Sequence, residues 1–253
     1  AEDGSKYVLY RWFFGEECDC KNVTTIRLMA ENLGQLHSSL QNFYEEPVLL
    51  QQPLLSRYDK HNREMKHVYG YMRGKKKKTE FERYAMQCFP NFYERAMQVR
   101  SQLSENLYYK EHSGQTKDVC HGEYNYHNLL LTKSGLATTN FEHAAPGVQL
   151  LDMAYFMRKV MEKNKWQVEK GVVLWNGYCE GAGCSKKELE FLITILSYPI
   201  KYWKLLNQYI NSKKTWISNK SMEKLKAVCE QEESKDKFLQ QMRTFTLGTS
   251  QKA

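Results

Sequence analysis

No run of about eighteen apolar residues occurs in the chain, so neither a membrane-spanning helix nor a membrane partner is expected. The opening AEDGSKYVLY has no basic segment ahead of an apolar stretch and no initiator Met. No secretory signal is expected there, and the amino terminus reads as cut or trimmed. Zinc chemistry is excluded on spacing. The seven cysteines offer only Cys18/Cys20 and Cys179/Cys184 as close pairs, without His partners at metal spacing. Reduced thiols of a cytosolic protein are the expectation. Gly181-Ala182-Gly183 lacks both the spacing and the strand-to-helix setting of a phosphate loop, and reads as a turn. No internal repeat and no interdomain linker is visible.

What is present suits a globular fold. At 253 residues the chain is long enough for a substantial core and for two domains at most. Hydrophobic residues at 42% and aromatics at 13% exclude a disordered chain. The formal net charge of +8 is compatible with an acidic partner. Its sharpest cluster, Arg73-Gly74-Lys75-Lys76-Lys77-Lys78, sits in no DNA- or RNA-binding motif. It reads as a solvated turn between helices, so nucleic acid is not an expected partner. A weaker reading makes it a patch for an acidic polymer.

The hydrophobic spacing predicts mostly helix. Tyr7–Phe13 is rich in β-formers, stops at Gly15 and reads as a strand, with Glu16–Asn22 a polar connector. Ile26, Met29, Ala30, Leu33, Leu36 and Leu40 predict a helix from about Thr25 to Leu40, capped by Asn22 or Thr24. His37 at its end reads as a core or capping histidine. Residues 42–62, with Pro47 and Pro53, lack a period and read as an irregular loop. Met65–Met72, Phe81–Cys88 and, after Pro90, the Phe92–Leu103 stripe predict helices whose apolar face packs under the next segment. Tyr108–Val119 reads as polar and exposed. Further helices are expected over Leu150–Lys163, from the Ser185/Glu188 capping box, from Pro199, and through Met222–Met242. The tail from Thr246 is expected to be disordered.

Between Cys120 and Gly147 lies the segment around which the rest is organised. His121, Glu123 and Asn128 form His-x-Glu-x-x-x-x-Asn. Protein-kinase-like enzymes use His-x-Asp-x-x-x-x-Asn at this spacing, the acid as base and the Asn on magnesium. Leu129–Leu131, a turn at Gly135 and a second run ending in Asn140-Phe141-Glu142 predict a β-hairpin that brings Asn128 and Asn140 together at one end. Kinases place a metal-binding Asp where this chain has Asn140. Two residues on, strand alternation would turn Glu142 to the same side.

The segments CHGEYNYHN, TNFEHA, LLDMAYFMRKVMEKNKW and YPIKYWKLLNQYINSKKTWIS resemble the CotS-type spore coat proteins, within the aminoglycoside-phosphotransferase and choline-kinase-like superfamily. The similarity runs from Tyr7 to about Leu239. It implies an α+β, mostly helical fold: the C-terminal lobe of a protein-kinase-like protein, carrying a catalytic β-hairpin, with the N-terminal lobe largely missing. Residues 1–15 would be the hinge strand, with Leu9, Tyr10 and Arg11 at the nucleotide base. Residues 16–245 would be the helical lobe and 246–253 the disordered tail. It further implies Glu123 as base, His121 as a loop residue, Asn128, Asn140 and Glu142 at a metal, and Asp152 supporting the loop backbone.

Two readings of function follow. The base is longer by a methylene than Asp, the metal Asp is an amide, and neither a glycine-rich phosphate loop nor a lysine-bearing strand is present. These alterations favour a degenerate kinase serving as a structural or binding component, with spore coat proteins as partners, in the mother-cell cytoplasm and spore coat. The alternative is an active phosphotransferase using ATP and magnesium on a small-molecule hydroxyl of a sugar, aminoglycoside or choline-like compound.

Overall fold

The computed structural model describes residues 12–50, 53–212 and 219–244. Trp12, Phe13 and Phe14 form no strand and are exposed; the rest of the expected amino-terminal strand, with Leu9, Tyr10 and Arg11, lies outside the described residues, as does the tail from Thr246. The connector expected at 16–22 instead contributes a short strand, β1 (Glu16–Glu17). Helix α1 (Val23–Ser39) follows, and Asn22 is its cap, accepting from the Thr25 N–H at 3.0 Å.

After β2 (Val48–Leu49), α2 spans Leu54–Gly74, so the loop expected over 42–62 is helical in its second half. The polar run between Tyr58 and Met65 hid a stripe in which Leu54, Tyr58, Asn62, Met65, Val68 and Met72 are buried. Helix α3 is continuous from Glu80 to Glu105, passing through Pro90. Proline removes one N–H from the ladder, but buried side chains from Phe81 to Leu103 hold both halves against their neighbours. A capping box of Thr79 and Glu82 starts it. The lysine run is the turn between α2 and α3, and Lys75 pairs with the buried Glu82.

The stretch expected to be polar and exposed forms α4 (Leu107–His112), with Tyr109 buried, followed by β3 (Gln115–Thr116) and β4 (Val119–Cys120). The hairpin is β5 (Leu129–Thr132) and β6 (Gly135–Thr138), in register Leu129↔Thr138. β1 extends it to three strands through Glu16↔Leu131. β7 (Ala145–Pro146) pairs with β4, and β2 with β3.

Six helices follow the hairpin among the described residues: α5 (Leu150–Lys163), α6 (Val168–Ala182), α7 (Lys186–Ser197), α8 (Ile200–Asn211), α9 (Asn219–Glu230) and α10 (Glu232–Thr244). The Ser185/Glu188 capping box is present, and Pro199 precedes α8 as expected. Gly181 is helical, and the turn is left to Gly183 with φ +70°. That reversal brings the Cα atoms of Cys179 and Cys184 to 5.0 Å, and the two cysteines form a disulfide. The reduced-thiol expectation is corrected for this pair.

The hairpin does not rest on α3, as expected, but on α1. Helix α3 packs against α2, α4, α7 and α9. Helices α1 and α6 form the most intimate helix pair, and glycine makes it possible. A Cβ on Gly34 would lie 2.3 Å from the Tyr178 carbonyl oxygen. This close backbone approach fixes α1 against α6, and α1 in turn contacts β6 of the hairpin.

Candidate functional site

The loop between β4 and the hairpin is built around a buried carboxylate. Asp152, in the first turn of α5 and 4% exposed, accepts the backbone N–H of His121 at 2.7 Å and of Gly122 at 3.1 Å. His37 Nε2 faces the same carboxylate at 3.4 Å, and His37 Nδ1 pairs with the Tyr178 hydroxyl at 2.9 Å. A buried carboxylate is tolerable only with such donors. His37 is thus a core histidine, as expected, and a buttress of the loop as well.

His121 is fully buried. Its Nδ1 accepts the Glu123 N–H at 3.2 Å, and its Nε2 donates to the Thr139 carbonyl at 3.0 Å. A backbone N–H can only donate and a carbonyl only accept, so the ring is the neutral Nε2–H tautomer. The ring ties the loop to the far strand of the hairpin, with the Phe141 ring at 4.6 Å. Gly122 adopts φ +80°, and a Cβ there would lie 2.1 Å from the His143 carbonyl oxygen. Only glycine permits this crossing. Tyr124 pins the loop to α1 by donating to the Met29 carbonyl at 2.6 Å.

Glu123, Asn128 and Asn140 lie together. The Glu123 carbonyl accepts from the Asn125 and Asn128 amides, each at 2.9 Å. Asn140 Nδ2 donates to Asn128 Oδ1 at 3.4 Å, while Thr139 N–H bonds to the Asn128 carbonyl at 2.9 Å. The hairpin therefore brings the two Asn side chains to one end, as its spacing predicts. Asn140 is left-handed, at φ 68° and ψ 56°, a conformation that Asn and Asp tolerate better than most residues. The Glu123 carboxylate is exposed and 3.5 Å from His143 Nε2.

Strand alternation does not carry over to Glu142. The strand ends at Thr138, and Phe141–His143 is a 3-10 turn, so its relation to Asn140 does not follow from the pleat. Glu142 makes no hydrogen bond or ion pair among the described residues. The donor set does not suit a magnesium ion held by protein carboxylates. Two neutral amides, bonded to each other, stand where such an ion takes charged oxygen. No three His, Cys, Asp or Glu residues cluster in a way that could hold a metal among the described residues.

Sequence reasoning missed Lys159, two helical turns beyond Asp152 on α5. It is half-buried. Burial, then Arg158, pulls its ammonium below the usual lysine range, and the nearby Glu123 carboxylate opposes that fall. The seven-residue spacing from Asp152 was a usable signal. Tyr126, within the loop, was missed too, and carries Lys163 over its ring at 4.1 Å.

The fold is shared with a solved kinase-like structure. An aminoglycoside phosphotransferase from Alicyclobacillus acidocaldarius subsp. acidocaldarius DSM 446 superposes with a TM-score of 0.79 at 18% identity, over 92% of this chain and 69% of that one. An ethanolamine kinase of Plasmodium vivax matches more loosely, with a TM-score of 0.49 at 17% identity, over 88% of this chain and 66% of that one. The chain belongs to the family described as "Spore coat putative kinase YutH", whose model matches residues 2–242. This agrees with the sequence resemblance to spore coat proteins of the aminoglycoside-phosphotransferase superfamily. A search of curated proteins finds no match. No helix among the described residues is long and apolar enough to cross a membrane.

Proposed function

We propose that this protein is a spore-coat-associated, kinase-fold binding component in which phosphotransfer is degraded. Residues 16–245 serve as the helical lobe of that fold, the mother-cell cytoplasm and the spore coat are its locations, and coat proteins are its partners. The observation that carries this reading is the Asn128–Asn140 pair. The position expected to bring a charged metal ligand instead brings an amide that donates to its neighbour. Magnesium gains far less from such a set than from a carboxylate. Glu123 adds a second departure, since a base displaced by about 1 Å can lose roughly a hundredfold in rate.

A specific observation favours the alternative, an active phosphotransferase on a small-molecule hydroxyl with Glu123 as base. The scaffold of Asp152, His121 and Gly122 is intact, and the Glu123 carboxylate is open to solvent. In that reading ATP and magnesium would meet Asn128, Asn140 and Glu142, and the bound ion would supply charge neutralisation that these residues lack. Magnesium-dependent ATP turnover separates the two. The expected result is turnover no different from that of Glu123→Ala. Turnover that Glu123→Ala abolishes would overturn the binding-component reading.

A further inference from the structure

A cavity of about 440 Å³ opens between α5, α8 and the α9–α10 pair, with Tyr126 and His127 of the loop among its lining residues. That volume lies in the range of small-molecule sites. Seven Lys or Arg and only two Glu line it. Both acids are already engaged. Glu162 holds Arg158 at 2.5 Å and Lys201 at 3.3 Å; Glu232 holds Arg95 at 2.7 Å and faces Lys235 at 3.9 Å. Lys159, Lys204 and Lys224 have no ion-pair partner among the described residues.

Such crowding of like charge around a concavity is costly unless something negative enters it. Arg158 is the clearest sign. Its side chain is only 10% exposed, Glu162 is its one ion-pair partner among the described residues, and its Nε has no hydrogen-bond partner.

We propose that this cavity binds a multiply anionic small molecule bearing phosphate or carboxylate groups. The walls set the chemistry: converging cations, three of them lysines without an ion-pair partner among the described residues, and the Trp166 and Tyr202 rings for an apolar body. A cationic acceptor of the aminoglycoside or choline kind would meet repulsion here. Tyr126 and His127 line the cavity, so the bound anion lies beside the loop that carries Glu123. The proposal deepens the kinase-fold reading by naming the ligand class of that site, and rests on it only for the cavity's being the acceptor side.

Calorimetric titration of the full chain with glucose 6-phosphate, citrate, glucose and choline tests it. Glucose 6-phosphate or citrate, or both, is expected to bind, and which one tells phosphate from carboxylate; glucose and choline are not. The Lys159→Met/Lys204→Met variant is expected to weaken that binding roughly tenfold or more at unchanged melting temperature. Lys224→Glu, on the exposed face of α9, provides a second variant should the first fail to fold, with a loss of roughly threefold or more. Absence of binding by both anions up to about 10 mM, or affinity unchanged in the folded variants, would overturn the proposal. Magnesium-dependent ATP turnover, compared with that of Glu123→Ala, reports on the kinase-fold function separately, since anion binding is read without nucleotide.

Discussion

The Asp152 carboxylate accepts the backbone N–H of His121 at 2.7 Å, joining the first turn of α5 to the loop that carries Glu123. It also takes the Gly122 N–H at 3.1 Å. One buried side chain thus fixes two consecutive peptides of the candidate site.

Removing that carboxylate should leave buried donors unmet. Asp152→Ala is expected to cost about 2–5 kcal/mol, a fall of roughly 5–15 °C in melting temperature for a chain of this size. Asp152→Asn, which keeps one acceptor oxygen, should lose less. Circular dichroism melts of the three proteins check the order, and an Asp152→Ala protein as stable as the parent would deny the carboxylate its supporting role.

Restoring the acid should restore metal affinity. Asn140→Asp keeps the left-handed backbone accessible and places a charge beside Asn128. Calorimetry with magnesium and a non-hydrolysable ATP analogue is expected to show an affinity gain of roughly tenfold or more over the parent. No gain would mean that the amide is not what weakens the site.

His61 predicts an acid-sensitive stability. It stacks on Trp203 at 3.5 Å, and its Nδ1 is buried without a partner. Burial holds its imidazole at about 4, below the ordinary 6.5; Arg57, Lys60 and Lys204 push the same way and Glu64 opposes. The folded value is depressed, so the folded state loses stability as pH falls from 6.5 towards 4, where only the unfolded chain binds the proton. The loss is expected at about 1–3 kcal/mol after allowance for partial exposure. His61→Phe should flatten the denaturant midpoint over that window; an unchanged pH slope would refute the assignment.

The cysteine chemistry is directly countable. Cys18, Cys20, Cys88, Cys120 and Cys229 are free thiols, and Cys179 is bonded to Cys184. Alkylation in denaturant without reductant should label five cysteines, and after reduction all seven. Labelling of all seven before reduction would show that the pair is open in the isolated protein.

Much of the site was legible before any coordinates. The hairpin turn at Gly135 and the β-formers around it settle a register, so the meeting of Asn128 with Asn140 follows from local chemistry. The Asn22 cap, the Ser185/Glu188 box and the apolar period of α1 and α5 are likewise local. The alternation argument for Glu142 does not hold, because a two-residue period fails once the chain leaves the strand at Thr138. Helix α2 was half-missed because its polar face interrupts the apolar stripe between Tyr58 and Met65.

The sequence by itself determined most of the helices, the hairpin, the loop His121–Asn128 and the identity of each chemical group in it, because these depend on backbone preference and spacing over a few residues. Only the tertiary structure decided what surrounds that loop. Asp152 finds His121, Arg158 and Lys159 face Lys204 across the cavity, and α1 rather than α3 carries the hairpin. Such meetings join residues far apart in the chain. They depend on how whole helix faces settle against one another, through contacts such as the glycine-mediated approach of α1 to α6, which no short window of sequence encodes.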